Sequence, residues 1–271
     1  MEYREIIYSV ENGNVALITL NRPEAMNALT HTTHAELRQA IEEANTDRNI
    51  RVIVITGAGR GFCSGDDVKV IFRGGEGYED YEQRQREQQL SWMQGGSLGG
   101  GGGILLEINK PTIAAVNGAA VGYGCDLALM CDMRIASEQA RFGEVFLRVG
   151  LIPDEAHLLL PRLVGLAKAY ELILTTDIID AEEAYRIGLV NKVVPHEELM
   201  PATMELASKI ASKPPIAVQL AKEGIRRGLN MPLGEFRSWH AFAFTYCQGT
   251  EDHREGVKAF VEKREPHFKG R

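Results

Sequence analysis

Two kinds of hydrophobic pattern alternate along this chain. Val15 to Leu20 is apolar and rich in β-branched residues, and Asn21-Arg22-Pro23-Glu24 stops it, which predicts a strand. Helical spacing follows. Leu37, Ala40, Ile41 and Ala44 fall at i, i+3, i+4 and i+7, and Thr33 with Glu36 reads as the capping box of a helix running to about Ala44. Val52-Ile53-Val54-Ile55-Thr56 has no polar alternation, so it predicts a fully buried strand, closed by the loop Gly57-Ala58-Gly59-Arg60-Gly61. Strand and helix alternating in this way predict parallel pairing.

The middle of the chain repeats the theme with smaller residues. Ile113 to Val116 is too short for a helix and reads as a strand. Gly118, Ala119, Ala120, Gly122 and Gly124 then leave little side-chain bulk, and an apolar helix begins near Gly124. Its unpaired first-turn amides would face whatever sits in the turn, an arrangement suited to negative charge on an oxygen. A tight strand-to-helix turn without chemistry fits this stretch equally well. Gly61-Phe62-Cys63-Ser64-Gly65-Asp66-Asp67-Val68 is a second small-residue turn after a buried strand. Strand-end loops of a parallel sheet are where ligand sites of α/β proteins usually lie, and two such turns strengthen that reading.

Tyr78 to Gln94 is polar and helix-prone. Gly95 to Gly103 is glycine-rich and is expected to form a mobile flap or a plain linker; no Lys-Ser/Thr follows it, as a phosphate-binding loop requires. Met133 to Ala136 is a further strand, and a helix runs to about Val164. Lys168 to Thr175 and Ala181 to Arg186 are helical, the latter capped by Asp180 with Glu183, and Gly188 to Val194 is a strand. Beyond Pro195 only helices are predicted, at about 196–212, 215–228, 232–248 and 251–263. The expected division is therefore a core over residues 1–195 and a helical region over 196–271. Trp239, Phe242, Phe244 and Tyr246 give the latter more aromatic surface than it can easily bury alone, which suits packing on another subunit.

Composition narrows the function classes. At 271 residues, 44% hydrophobic and 25% charged, the chain can bury a sizeable core. A net charge of -7 argues against a nucleic-acid surface. Cys63, Cys125, Cys131 and Cys247 have no metal-binding spacing, so buried thiols in a reducing compartment are expected, and no metal. The first residues are charged, and no apolar run is long enough for a leader or a membrane span, so a cytoplasmic protein is expected.

Taken in order, several stretches resemble the crotonase superfamily, the enoyl-CoA hydratases and isomerases. They are Asn21-Arg22-Pro23-Glu24-Ala25-Met26-Asn27-Ala28-Leu29, Val52 to Gly57, Gly61 to Asp67, Lys110 to Asp126, Ile152-Pro153-Asp154, Leu160 to Gly165 and Glu255 to Arg264. Each is weak alone; the ordered set, spanning nearly the whole chain, is specific. The resemblance implies an α/β fold, a spiral of ββα units with a C-terminal α-helical trimerisation region, assembled as a homotrimer or homohexamer. It implies an acyl-CoA substrate, with coenzyme A as part of the thioester and no tightly bound cofactor. By residue matching, the amides of Asp66 and Tyr123 form the oxyanion hole. Met26, Ser64 and Val68 match positions lining CoA, and Phe260 with Lys263 matches a pair that contacts CoA, often from the neighbouring subunit.

The chain also departs from the family pattern. Tyr123 stands where glycine is usual, so its ring needs room, with the acyl pocket one candidate. Typical hydratases carry glutamates where Asp126 and Phe146 stand; Asp126 keeps a shorter carboxylate and Phe146 moves no proton. Asp154 matches an aspartate that is catalytic in several relatives, and Asp126 and Asp154 are the expected acid/base groups. Against these stand plainer readings: a helix-start carboxylate for Asp126, a helix cap for Asp154, a solvated or CoA-side glutamate for Glu144 and simple packing for Cys125 and Cys131. No histidine falls at a matched catalytic position. The expected activity is hydration or isomerisation of an enoyl-CoA; the alternatives are a non-catalytic acyl-CoA- or RNA-binding relative, and a purely structural assembly.

Overall fold

A computed structural model describes residues 3–71 and 100–271. The predicted helix at Tyr78 to Gln94 and the start of the glycine run, 95–99, lie outside the described residues. Two sheets carry the fold. One holds β1 (Ile6–Glu11), β2 (Val15–Leu20), β3 (Val52–Gly57), β5 (Thr112–Val116), β7 (Met133–Ser137) and β10 (Lys192–Val194), in the order β1-β2-β3-β5-β7-β10. The other holds β4 (Gly61–Cys63), β6 (Ala119–Val121), β8 (Arg141–Gly143) and β9 (Ile179–Asp180). Successive strand pairs β3/β4, β5/β6 and β7/β8 step from the first sheet to the second, so the chain winds as a spiral. From β2 to β10 the first sheet is parallel, as predicted, and β3 and β5 are buried along their whole length.

Some sequence readings are corrected. β1 pairs antiparallel with β2 and was not anticipated: Ile7 and Val10 stay exposed, so it has no continuous apolar run. Helix α1 (His31–Thr46) starts earlier than predicted, because Thr30 is the N-cap and Thr33 its capping-box partner. Glu36 instead accepts the amides of Arg4 and Glu5, each at 2.9 Å, and ties the N-terminus to α1. The stripe Leu37, Ala40, Ile41 and Ala44 is fully buried, as its spacing requires. Only Lys192 to Val194 of the stretch predicted as strand 188–194 is extended.

The helices that follow are α2 (Val68–Ile71), α3 (Tyr123–Met130), α4 (Ala156–Val164), α5 (Leu166–Thr175), α6 (Ala181–Arg186), α7 (Leu199–Ala211), α8 (Pro215–Gly228), α9 (Leu233–Gln248) and α10 (Glu251–Glu262). Asp180 caps α6 through the Glu183 amide at 2.9 Å, as expected. On α7, Leu199, Ala207 and Ala211 pack with Val52, Val54 and Ile113 of the first sheet. On α9, Phe242, Phe244 and Tyr246 remain more than half exposed. No described helix is long and apolar enough to cross a membrane.

Candidate active site

Pairing in the second sheet explains how the two small-residue turns meet. β4, β6 and β8 are parallel neighbours, with Cys63 opposite Ala120 and Val121 opposite Gly143. Their C-terminal ends therefore place the turn after Cys63, the start of α3 and Glu144 side by side. The turns touch at Gly65, whose φ is +89°; a β-carbon there would lie 3.0 Å from the Val121 carbonyl and 3.3 Å from the Tyr123 nitrogen. A β-carbon on Gly124 would sit 2.1 Å from the Cys63 carbonyl, so only glycine lets α3 start flush against β4. Leu29 pairs with the second turn through its amide to the Gly65 carbonyl (2.9 Å) and its carbonyl to the Asp67 amide (2.8 Å). The Asp66 amide, between them in sequence, points the other way. Tyr123 is the first residue of α3, so its amide has no acceptor within the helix.

Carboxylates gather beside these amides. Asp126, in the first turn of α3, is completely buried. Its Oδ2 accepts the Asp154 amide at 3.1 Å, so it sits against the start of α4, while its Oδ1 has no partner among the described residues. The helix-start reading was thus half right: Asp126 receives amides from the following helix, not from its own. Burial, then the charge of Asp154, pushes its carboxyl up to about 7, against the lowering pull of the Asp154, Glu155 and Ala156 amides. Asp154 is exposed, and desolvation followed by the nearby Asp66 charge raises its carboxyl too. It is not the helix cap; Glu155 occupies the N-cap of α4 but makes no side-chain cap bond. One oxygen each from Asp126, Asp154 and Glu155 lie within 4.8 Å of one another.

Two acids in this cluster differ from expectation. Glu144 is not solvated. It is 2% exposed, both oxygens lack an oxygen or nitrogen partner among the described residues, and burial followed by the Asp126 charge raises its carboxyl far above the usual range. The Cys125 thiol lies beside it, deeply buried. Glu155 was not singled out by the sequence at all. It is 4% exposed with both oxygens unpartnered, and burial pushes its carboxyl up to about 8, aided by the charges of Asp126 and Asp154.

The Tyr123 ring is 2% exposed. Its hydroxyl accepts the Gly102 amide at 3.1 Å, and its ring forms a T-shaped pair with His34 at 5.0 Å between centroids. His34 Nδ1 accepts the Gly101 amide at 2.8 Å, which leaves Nε2 to donate to Asp66 Oδ1 at 2.9 Å. His34 is thus tied to the Asp66 turn, although no sequence spacing flagged it. The described end of the glycine run, Gly101 to Gly103, is buried against these rings and not loose as a flap would be. A β-carbon on Gly101 would come 2.0 Å from the His34 carbonyl, so the run is glycine because backbone packs on backbone there.

The residues matched to CoA fall in two places. Met26 and Ser64 adjoin, the Ser64 amide donating to the Met26 carbonyl at 3.0 Å, and Val68 begins α2 nearby in the chain, 57% exposed. Phe260 and Lys263 lie at the end of α10, where Phe260 is 85% exposed and Lys263 is in the left-handed region.

Comparison with known proteins agrees with this geometry. The family model described as enoyl-CoA hydratase/isomerase matches residues 10–271. A crotonyl-CoA hydratase of Syntrophomonas wolfei is 40% identical over 274 residues, covering 99% of each chain. An (E)-benzylidenesuccinyl-CoA hydratase of Thauera aromatica is 40% identical over 266 residues, covering 96% of this chain and 97% of its own. The crystal structure of an enoyl-CoA hydratase from Bacillus anthracis superposes with a TM-score of 0.88 at 36% identity, covering 99% of this chain and 100% of that one. Ordered motifs, a crotonase-type spiral and full-length similarity together make this chain a member of the enoyl-CoA hydratase/isomerase family.

Proposed function

We propose that this protein hydrates an enoyl-CoA thioester through an enolate. The observation that carries the reading is the meeting of the Gly65 and Tyr123 turns beside Asp126 and Asp154. The Asp66 and Tyr123 amides hold the thioester oxygen, and two fixed donors stabilise it as negative charge develops; losing one such donor typically costs about 10²–10³ in rate. Asp154, which is exposed, takes a proton from the water that attacks the β-carbon. Asp126 takes part in the second transfer, the delivery of a proton to the α-carbon, as a member of the buried acid cluster. Hydration is favoured because the similar proteins cited above are hydratases. Phe146, in place of an acid, favours a second reading: a double-bond shift, in which Asp154 alone removes and returns one proton.

Coenzyme A enters as part of the substrate. Met26, Ser64 and Val68 line its path. Phe260 and Lys263 complete the site of a neighbouring copy, Lys263 acting on phosphate as a point charge that added salt weakens. A trimer or hexamer follows from this sharing. The exposed aromatics of α9 and a groove of about 470 Å³ between α8 and α9, lined by Ile225, Phe236 and Trp239, provide apolar surface for it. The buried thiols of Cys63, Cys125 and Cys131 suit a reducing, cytoplasmic setting.

The test is loss of the conjugated enoyl absorbance on adding crotonyl-CoA, with calorimetry of acetoacetyl-CoA alongside. Binding with hydration is expected. Binding with only a double-bond shift would favour the second reading, and no binding at millimolar ligand would remove both.

A further inference from the structure

Phe146 removes the acid that hydratases usually place there, yet hydration needs a proton delivered to the α-carbon. Asp126 is a poor sole source. It is fully buried, carries one methylene fewer than the usual glutamate, and commits Oδ2 to the Asp154 amide. Glu155 has what Asp126 lacks. It stands at the N-cap of α4 but leaves the capping role unused, so nothing in its own helix holds its carboxyl. Both its oxygens are buried without a partner among the described residues, and one lies within 4.8 Å of oxygens of Asp126 and Asp154.

We propose that Glu155 is a further catalytic residue, the acid that protonates the substrate α-carbon in place of the carboxyl missing at Phe146, with Asp126 as its proton-sharing partner. The proposal rests on the hydration reading above. Two buried carboxyls this close cannot both ionise cheaply, so the Asp126–Glu155 pair keeps a proton at neutral pH. The raised carboxyls of both residues agree with this.

The step balances without any other reactant. The water O–H bond breaks, and its proton goes to the Asp154 carboxylate as oxygen bonds to the β-carbon. The double-bond pair moves toward the thioester oxygen, giving the enolate held by the two amides. The enolate returns its pair to the α-carbon, which takes the proton from Glu155. After the 3-hydroxyacyl thioester leaves, the proton on Asp154 passes back to the Asp126–Glu155 pair. Nothing is oxidised or reduced.

The test compares wild type with Glu155→Gln for crotonyl-CoA hydration across pH, for solvent deuterium entry at the α-carbon, and for acetoacetyl-CoA binding. Glutamine copies the shape and neutrality of a protonated glutamate but gives up no proton. A purely structural Glu155 would therefore tolerate it. The expected result is a kcat lower by roughly 10²–10⁴ with KM changed by less than about threefold, α-deuteration slowed by the same factor, and loss of the alkaline limb of the kcat profile, while acetoacetyl-CoA still binds. Near-normal kcat and α-deuteration in Glu155→Gln would overturn the assignment while leaving the hydration reading intact. Wild type that binds acetoacetyl-CoA but never hydrates would instead overturn the reading on which the proposal rests. Glu155→Asp, which keeps the acid but shortens its reach, should recover part of the lost rate.

Discussion

The two ends of helix α3 bury charge in opposite ways. At the C-terminal end, Arg134 is 3% exposed, and its guanidinium donates to the carbonyls of Ala128 (3.1 Å), Leu129 (3.3 Å), Cys131 (2.7 Å) and Leu189 (2.7 Å). A cation there also complements the helix dipole. Close by, Lys222 Nζ bonds Asp132 Oδ2 at 2.8 Å and the Lys110 carbonyl at 2.9 Å. At the N-terminal end, Asp126, Glu144 and Glu155 are equally buried, yet five of their six oxygens lack an oxygen or nitrogen partner among the described residues. Carboxylates buried without enough partners are unstable unless protonated, even where helix amides favour their charge. One end is thus satisfied for folding, and the other is left unsatisfied where substrate and protons would come. The two ends differ not in how deeply ionisable groups are buried but in whether those groups find partners.

The sharpest way to break this contrast is at the open end. Asp154→Asn and Asp126→Asn should each lower kcat by roughly 10²–10⁴, Asp154 more, with acetoacetyl-CoA affinity little changed by calorimetry. If both stay active while Glu144→Gln is inert, the acid/base assignment fails and the family membership stands. Next in size is Gly65→Ala. Its β-carbon would crowd the Val121 carbonyl and the Tyr123 nitrogen and strain a φ of +89°, so the two amides should separate and turnover fall by about 10²–10³. Steady-state kinetics on a protein of unchanged circular dichroism would show it; wild-type rates would mean the turns need not touch.

The closed end should respond in stability alone. Arg134→Met leaves four carbonyls without their donor and should cost about 2–5 kcal/mol, a fall of roughly 5–15 °C in Tm, with kcat per folded molecule unchanged. A comparable loss of kcat would erase the distinction between the ends. Smallest is the pH response. Asp126 and Glu155 titrate in the folded chain near 7 and 8, and Glu144 is raised as well, so the folded state keeps protons that the unfolded chain has already released. Stability is full below the ordinary carboxyl range and declines as pH rises toward 7–8. Glu144→Gln removes one such group and should raise Tm by about 2–6 °C at pH 8, a gain that fades near pH 5 in thermal melts. A gain independent of pH would contradict the buried-proton account.

Much of this molecule is fixed locally. Strands β2, β3 and β5, the core stripe of α1, the Asp180 cap of α6 and the four C-terminal helices follow from runs, periods and caps within a few residues of one another. Ordered motifs were enough to name the family, and they pointed to the Asp66 and Tyr123 amides as the proposed oxyanion donors, because such a role belongs to the backbone of small-residue turns. The sequence alone did not reveal which acids lose their water. Glu144 reads as a solvated or CoA-side glutamate and Glu155 gives no signal at all, yet both are buried in the fold, Glu155 at the N-cap of α4. His34 reads as a helix residue until Gly101 and Asp66 fold against its two nitrogens. Periodicity and capping are set by neighbours in sequence. Desolvation and charge coupling depend on groups that only the tertiary structure brings together, and so the protonation of this site was decided there.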